Sequence, residues 1–212
     1  MAMGIEVRNQ IAKRAAQEIK DGMIVNLGIG IPSLVPNHLS KDINVMFHTE
    51  NGILGAGISP KQDEEDPNLC NAAGFPVTVI KGASYFDSAT AFGMIRRGYL
   101  DITILGSLEV SEKGDLANWI VPGKRVPGMG GAMELTQKAK KVIVLMSHVN
   151  KDGKPKILKQ CTLPLTAKSC VDLIITDMAV LEVTESGLMI KEVMEPYTIE
   201  EVIEKTEANL IL

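Results

Sequence analysis

The sequence predicts an α/β fold with a single open, mostly parallel sheet flanked by helices. Short apolar runs that suit buried strands recur along the chain, and segments of helical period lie between them. Gly-rich turns follow several of the runs, as they do in βαβ units. The chain has 212 residues, 45% of them hydrophobic, and no internal repeat, low-complexity tract or linker. We therefore expect one domain over residues 1–212.

The N-terminal half alternates between helix and strand. Apolar residues at near-helical spacing predict a helix over residues 5–20, ended by Asp21-Gly22. A second helix is predicted over 89–97, capped by Asp87 or Ser88 and ended by Gly98. The predicted strands of this half are the apolar runs 23–27, 43–47, 77–80 and 101–105.

The C-terminal half contains one long irregular segment. Residues 114–131 are rich in glycine, include the only tryptophan, and have no regular pattern, which is typical of a functional loop. A helix is predicted over 132–140, and Thr198 with Glu201 forms a capping box for a final helix that ends near residue 206. The predicted strands here are 142–146, 171–175 and 180–183, the last of which enters a hairpin at Ser186-Gly187.

Composition and charge exclude several classes of function. The net charge of −4 and the scattered Lys and Arg residues argue against nucleic acid binding. No apolar stretch reaches the roughly 18 residues needed to span a bilayer, and the first residues do not resemble a signal peptide, so a cytoplasmic protein without membrane contact is expected. The three cysteines lack a C-x-x-C spacing and the three histidines lack a metal-binding companion, so no metal is expected.

Glu50 is the first candidate for chemistry. It stands where the apolar run 43–47 has just ended and where Asn51-Gly52 turns the chain. Ligands of open α/β sheets bind outside the carboxyl ends of the strands, so a carboxylate here is well placed to react. A solvated turn residue is the alternative. His48 would point to the same side as Glu50 in an extended strand, either as a supporting group or as an ordinary hydrogen-bonded histidine.

Two Gly-rich turns provide candidate backbone donors. Gly28 and Gly30 follow the predicted strand 23–27 and precede Pro32, which suits the first turn of a helix, so this corner favours an anion. It lacks the third glycine of a dinucleotide fingerprint and the lysine of a P-loop. Gly130-Gly131 precede the predicted helix 132–140. A carboxylate that faces such donors can attack an activated acyl group, and the donors would stabilise the oxyanion.

The residues around Glu50 resemble a known active-site signature. Segment 47–55, Phe-His-Thr-Glu-Asn-Gly-Ile-Leu-Gly, is similar to that of the B (β) subunit of family I 3-oxoacid CoA-transferases. Segments 26–32, 114–119 and 122–124 with 128–134 match the same family, and weaker similarity runs from about residue 7 to residue 206. Thr49 stands where the family more often has Ser, and Glu134 stands where Asp is common; both departures are mild.

The resemblance implies a fold of the CoA-transferase type, which is similar to that of ribose-phosphate isomerase, and a ping-pong reaction on Glu50. Glu50 would attack an acyl-CoA, pass through a mixed anhydride and become a glutamyl-CoA thioester. The CoA thioester is a substrate, and neither a bound cofactor nor a metal is needed.

The resemblance also assigns roles to the other candidates. Gly131 matches the oxyanion-hole position, with Gly130 beside it, and Gly28 and Gly30 would shape the floor of the pocket. Asn51 would orient Glu50 or simply form the turn. Lys124 is a conceivable partner for a CoA phosphate, or a solvated loop lysine.

The family works with a second subunit. The resemblance implies a CoA-transferase A subunit that completes the site, in an A2B2 or larger heteromer, and substrates that are acyl-CoA and short carboxylic acids. Acetoacetate with succinate, acetate or butyrate is the expected range, and the sequence does not choose among them. Two other functions stay open at this point: a sugar-phosphate isomerase or binding module of the same broad fold, and a non-catalytic scaffold subunit.

Overall fold

The computed structural model describes residues 3–123 and 128–212, and this part of the chain forms two sheets and five short helices. The strands are β1 (Ile24–Leu27), β2 (Met46–Thr49), β3 (Ile53–Ala56), β4 (Val79–Tyr85), β5 (Ile102–Gly106), β6 (Glu109–Ser111), β7 (Leu116–Ala117), β8 (Lys141–Leu145), β9 (Ile157–Leu158), β10 (Leu173–Ile175), β11 (Ala179–Thr184), β12 (Gly187–Val193) and β13 (Leu210–Ile211). The helices are α1 (Ile5–Ala16), a 3-10 helix (Ile31–His38), α2 (Ser88–Arg96), α3 (Ala132–Lys138) and α4 (Ile199–Glu204).

The large sheet has ten strands in the order β13-β12-β11-β10-β8-β5-β1-β2-β3-β4. Its centre, β10-β8-β5-β1-β2, is parallel throughout. Antiparallel strands extend it at both sides, β11 and β12 beyond β10, and β3 and β4 beyond β2. The predicted α/β fold with a mostly parallel sheet is confirmed. The structure adds a second sheet of three strands, β7-β6-β9, which the sequence did not predict.

Helices cover both faces of the parallel strands. Consecutive residues of a strand enter different cores, as the period of two requires: Ile104 packs with the α1 side, whereas Leu105 packs with α3. The α1 core includes Ile11 and Ala15, and the opposite core includes Ile95 of α2. Because both faces are buried, the central strands read as continuous apolar runs, which is the signal that predicted them.

Helix ends follow local chemistry. Asp87 caps α2 by accepting a hydrogen bond from the backbone N–H of Thr90 at 2.7 Å, and Gly98 follows its end with φ 72°. The predicted capping box of Thr198 and Glu201 is present at α4. Helix α1 is shorter than predicted and ends at Ala16. No helix in the described ranges is both long enough and apolar enough to span a bilayer.

Candidate active site

Glu50 occupies the corner of the β2–β3 hairpin, at the carboxyl edge of the parallel strands. Strand β2 ends at Thr49, whose carbonyl oxygen accepts a hydrogen bond from the N–H of Gly52 at 3.1 Å and closes the turn. The hydroxyl of Thr49 accepts a second bond from the N–H of Ile53, also at 3.1 Å. Glu50 is therefore observed at the end of a strand, as predicted. Two hydrogen bonds to Thr49, one from Gly52 and one from Ile53, hold the turn that follows it.

Gly52 is required by the space around this turn. Its φ is 114°, and a Cβ built on it would lie 1.9 Å from the carbonyl oxygen of Phe86. Its own carbonyl oxygen accepts a bond from the N–H of Phe86 at 3.0 Å. The hairpin corner is therefore pressed against the segment that enters α2, and no larger side chain fits at residue 52.

A row of buried polar side chains crosses three strands below Glu50. Asn26 of β1 is paired in register with His48 of β2 and with Thr103 of β5, and all three are fully buried. The Asn26 amide donates to the carbonyl oxygen of His48 at 3.2 Å, and the hydroxyl of Thr103 donates to the Asn26 amide oxygen at 3.2 Å. Buried polar groups that are paired in this way hold one arrangement of a site.

His48 is hydrogen-bonded within this buried row. Its Nε2 lies 3.2 Å from the carbonyl oxygen of Ala91, which can only accept, so we assign the ring proton to Nε2. Burial lowers the pKa of His48, which favours the neutral ring. Nδ1 is then an acceptor, 3.4 Å from the Asn26 amide nitrogen. Of the two roles expected for His48, the structure favours support of the site from behind.

The Glu50 carboxyl group is partly withdrawn from water. Burial raises its pKa above the usual range for a glutamate, while its own backbone N–H and the amide of Asn26 act in the opposite direction. Asn26 is thus a site residue that the sequence analysis did not single out. Its signal was a polar residue inside the otherwise apolar run 23–27.

Gly131 lies directly beside Glu50, although 81 positions separate them in the sequence. A Cβ built on Gly131 would be 3.5 Å from Cγ of Glu50 and 3.1 Å from the ring of Phe92. Neither Gly130 nor Gly131 donates its N–H to an acceptor within the described residues. An ion pair between Arg96 of α2 and Glu134 of α3, with nitrogen and oxygen 2.8 Å apart, connects the helix that carries Phe92 with the helix that follows Gly131.

Gly28 and Gly30 have different tasks. The N–H of Gly28 donates to the carbonyl oxygen of Ile104 at 2.8 Å, so it is not a donor for a ligand, contrary to expectation. A Cβ on Gly28 would meet that same oxygen at 3.2 Å, which indicates a close-packed floor. Gly30 has φ 88°, and its carbonyl oxygen accepts the hydroxyl of Ser33 at 2.7 Å.

Asn51 faces a neighbouring loop. Its amide donates to the carbonyl oxygen of Cys70 at 2.8 Å and ties the hairpin corner to that loop. This contact favours the turn-forming role over the orienting one. Lys124 lies outside the described residues.

All six predicted site residues line one cavity of about 1160 Å³. They are Glu50, Asn51, Gly28, Gly30, Gly130 and Gly131. The cavity is bounded by the carboxyl ends of β1, β2 and β5, where the general rule for α/β sheets predicts a ligand. Within the described residues, no group of three or more His, Cys, Asp or Glu side chains is arranged to hold a metal ion.

Comparison with known proteins identifies the family. Residues 8–205 match the coenzyme A transferase family. The beta subunit of a probable coenzyme A transferase of Bacillus subtilis is 65% identical over 210 residues, which cover 99% of this chain and 97% of that protein. The B subunit of the succinyl-CoA:3-ketoacid coenzyme A transferase of Helicobacter pylori is 51% identical over 203 residues, or 96% of this chain and 98% of that one.

The fold agrees with a solved structure as well. An acyl-CoA transferase from Escherichia coli O157:H7 superimposes with a TM-score of 0.76 at 20% identity. The match covers 100% of this chain but only 43% of the E. coli chain. At this identity it supports the fold and not the function. The sequence relatives carry the assignment, which confirms the resemblance: this chain belongs to the coenzyme A transferase family, and it is a transferase.

Proposed function

We propose that this chain is the catalytic B subunit of a heteromeric 3-oxoacid CoA-transferase and that it carries CoA on Glu50. The observation on which this proposal depends is the contact between Glu50 and Gly131. It brings the side chain of Glu50 next to a glycine whose backbone N–H has no acceptor within the described residues, and both residues line one cavity. The names of the relatives support the subunit type and the 3-ketoacid class.

The reaction has four displacements, each with a defined leaving group. A carboxylate oxygen of Glu50 attacks the thioester carbonyl of the acyl-CoA, and the CoA thiolate leaves an acyl-glutamyl anhydride. The thiolate attacks the Glu50 carbonyl, which releases the first carboxylate and forms a glutamyl-CoA thioester. The acceptor carboxylate attacks that thioester and expels the thiolate. Finally the thiolate takes the new acyl group from the second anhydride, and the Glu50 carboxylate is restored.

The residues around Glu50 suit these steps. Each displacement passes through a tetrahedral oxyanion, and the N–H groups of Gly131 and Gly130 are its proposed donors. Partial burial reduces the hydration of the Glu50 carboxylate and would protect its anhydride and thioester from hydrolysis. The Asn26 amide, which lowers the pKa of Glu50, would help to orient the carboxylate from the sheet side.

The proposal includes a second subunit. The relatives named as beta or B subunits imply a companion chain for those proteins, and we extend this to an A subunit here, in an A2B2 or larger assembly. The A subunit would cover the open side of the Glu50 cavity. The chain described here would act as one domain in the cytoplasm, as the sequence predicted.

The two other functions that the sequence left open are less well supported. A sugar-phosphate isomerase or binding module shares the broad fold, but the family match over residues 8–205 favours the transferase. A scaffold subunit would not need Glu50 packed against Gly131 within a cavity. Catalysis of CoA transfer by this chain is therefore the best supported of the three functions.

A covalent-adduct experiment tests it. The chain is co-purified with its companion subunit and incubated with acyl-CoA in the absence of an acceptor acid. We expect the mass of this chain to rise by that of CoA less one water, with the adduct on Glu50, and borohydride to inactivate the enzyme only after this incubation. Glu50→Gln should form no adduct and should lose roughly 10⁴-fold or more in kcat.

The matched control is Glu65→Gln, since Glu65 also lines the cavity but stands on an exposed loop. This variant should form the adduct normally. A Glu50→Gln enzyme that exchanges CoA at the normal rate, or an adduct on another residue, would refute the mechanism. A panel of short carboxylic acids, with acetoacetate, succinate, acetate and butyrate among them, would identify the acceptor.

A further inference from the structure

A second, smaller cavity of about 310 Å³ adjoins the Glu50 cavity. Four residues line both cavities: Arg8, Gly30, Gly106 and Ser107. The smaller cavity lies at the carboxyl ends of β5 and β8, where Ser107 and Ser147 follow the strands. The two spaces therefore share a wall, and the smaller one extends the site along the sheet edge, away from β2.

Lys156 enters this second cavity in a fixed position. Its ammonium group donates to the carbonyl oxygen of Ser107 at 3.3 Å and to the hydroxyl of Ser147 at 3.1 Å. Ser107 is itself held, because its hydroxyl lies 2.7 Å from the carbonyl oxygen of Glu109 and 3.1 Å from that of Ala117. A lysine ammonium has three N–H donors, so one donor is left after the two bonds to uncharged oxygens.

Neither basic residue of this cavity has a carboxylate partner. In residues 3–123 and 128–212, no carboxylate oxygen lies within 4.0 Å of the charged nitrogens of Lys156 or Arg8. The carboxylates of Asp177 and Glu109 act on Lys156 from longer range. Asp177 already accepts the N–H of His148, and Glu109 is bonded to Thr162 and Leu163. Burial lowers the pKa of Lys156 to about 8, as expected for a cation without full compensation.

A partly buried cation with no carboxylate in contact, in a cavity that a second cation also lines, favours an anion. We propose that Lys156 and Arg8 form an oxyanion-binding subsite that takes a carboxylate or phosphate group of the substrate. With neighbouring strands about 4.8 Å apart, the gap between β5 and β8 lies roughly 12 Å from β2, which carries Glu50. A substrate that reacts at Glu50 would therefore place a remote charged group in this subsite, not the reacting carboxylate.

The binding of an anion can be tested without turnover. Inorganic phosphate is titrated against the complex of this chain with its companion subunit, at constant ionic strength set with chloride, while the thermal midpoint is followed. We expect a saturable rise in the midpoint for the wild type. In Lys156→Met the apparent Kd for phosphate should rise at least about tenfold, as expected for the loss of a charge-assisted hydrogen bond.

Two further variants complete this test. Lys154→Met removes an exposed lysine two positions away and should bind phosphate as the wild type does. Arg8→Met should weaken phosphate binding several-fold; if Lys156→Met does not fold, Arg8→Met decides alone. A wild type that phosphate does not stabilise, or an equal effect of phosphate on wild type, Lys156→Met and Arg8→Met, would overturn the subsite.

Which substrate group the subsite binds is a question that rests on the proposed function, and steady-state kinetics answers it. If the subsite takes a substrate carboxylate, Lys156→Met should raise KM about tenfold for a dicarboxylic acceptor but not for the monocarboxylic acid of equal length. If it takes a CoA phosphate, KM should rise for acyl-CoA but not for the acyl-pantetheine thioester, which lacks the phosphates. An equal change for all four substrates would mean that Lys156 only holds the ends of β5 and β8 together, and would overturn the proposal.

The two proposals fail in different ways. A wild-type complex that forms no CoA adduct would refute the transfer mechanism while leaving the phosphate titration valid. Normal adduct formation with no effect of phosphate would refute only the subsite.

Discussion

Gly131 packs against the stem of Glu50, so that a single added carbon on Gly131 would stand 3.5 Å from Cγ of Glu50 and 3.1 Å from Cζ of Phe92. The φ of Gly131 is −79°, a value that any residue adopts. Glycine is needed here for close approach and not for an unusual backbone angle. A larger residue at position 131 should therefore disturb the Glu50 site without straining the backbone.

Gly131→Ala should therefore impair activity much more than folding. We expect kcat to fall by roughly 10- to 100-fold, because the new methyl group displaces Glu50 or the N–H donors from their alignment. The free energy of unfolding should change by less than about 1 kcal/mol, since the flexible Phe92 and Glu50 side chains can yield. Both are measured on the purified complex, by steady-state kinetics and urea denaturation.

Gly93→Ala is the matched control for this prediction. Gly93 lies inside α2, and a Cβ there would meet no atom within 4 Å. This variant should keep full activity and gain up to about 1 kcal/mol of stability from helix propensity. Equal activity losses in the two variants would contradict the role given to the Gly131 contact.

Gly52→Ala should destabilise the protein severely. The new Cβ would overlap the carbonyl oxygen of Phe86 at 1.9 Å, and φ at this position is 114°. Steric overlap with backbone and an unfavourable φ together should cost more than about 3 kcal/mol. Gly74→Ala is the control: φ is 79° there, but no atom lies within 4 Å of the new Cβ, so only about 1 kcal/mol should be lost. Urea denaturation of both variants measures these costs. Equal losses of unfolding free energy in Gly52→Ala and Gly74→Ala would show that the positive φ, and not the overlap with Phe86, determines the cost.

The parts of the fold that were predictable are those with local signals. The strands β1, β5 and β8 are apolar runs, and Glu50 stands at a strand end followed by Asn51-Gly52. Each of these signals spans only a few consecutive residues, so no knowledge of distant contacts was needed. The family resemblance then connected Glu50 with Gly131, which the spacing of the sequence could not do.

The parts that were not predictable depend on pairing between distant segments. Strands β6 and β9 are two or three residues long, and they form a sheet only because Val110 meets Ile157. The partner of Asn26 is His48 only in the observed register of β1 and β2, and the N–H of Gly28 is taken by a residue of β5. A sequence pattern indicates which face of a strand is buried, but it does not specify which residue of the next strand lies opposite.

Removing the Asn26 amide should change the pH dependence of activity. Asn26 lowers the pKa of Glu50 and so opposes the effect of burial. In Asn26→Ala the pKa of Glu50 should rise further, and because the carboxylate is the reactive form, the acidic limb of kcat/KM should move to higher pH. Unfolding should become easier by about 1–3 kcal/mol, since the buried hydroxyl of Thr103 loses its acceptor.

Thr103→Val separates these two effects. It removes the hydroxyl that bonds to Asn26 but keeps the amide that acts on Glu50. We expect lower stability with an unchanged acidic limb. An acidic limb that moves equally in both variants would mean that Asn26 acts on Glu50 only through general packing.

His148 should make the protein less stable in mild acid. It is fully buried between the hydroxyls of Thr176 and Thr206, at 2.9 and 2.8 Å, and burial lowers its pKa to about 4. The unfolded chain therefore binds a proton as the pH falls below about 6.5, whereas the folded chain does not until about pH 4. The stability that neutral His148 provides is present above pH 6.5 and is lost over this window, by about 2 kcal/mol at pH 5.

Urea denaturation of wild type and His148→Gln at a series of pH values tests this. Between about pH 7 and pH 5, His148→Gln should lose about 2 kcal/mol less of its free energy of unfolding than the wild type, even if the variant is less stable at neutral pH. Parallel stability curves for the wild type and His148→Gln would show that this histidine is protonated as readily in the folded chain as in the unfolded one.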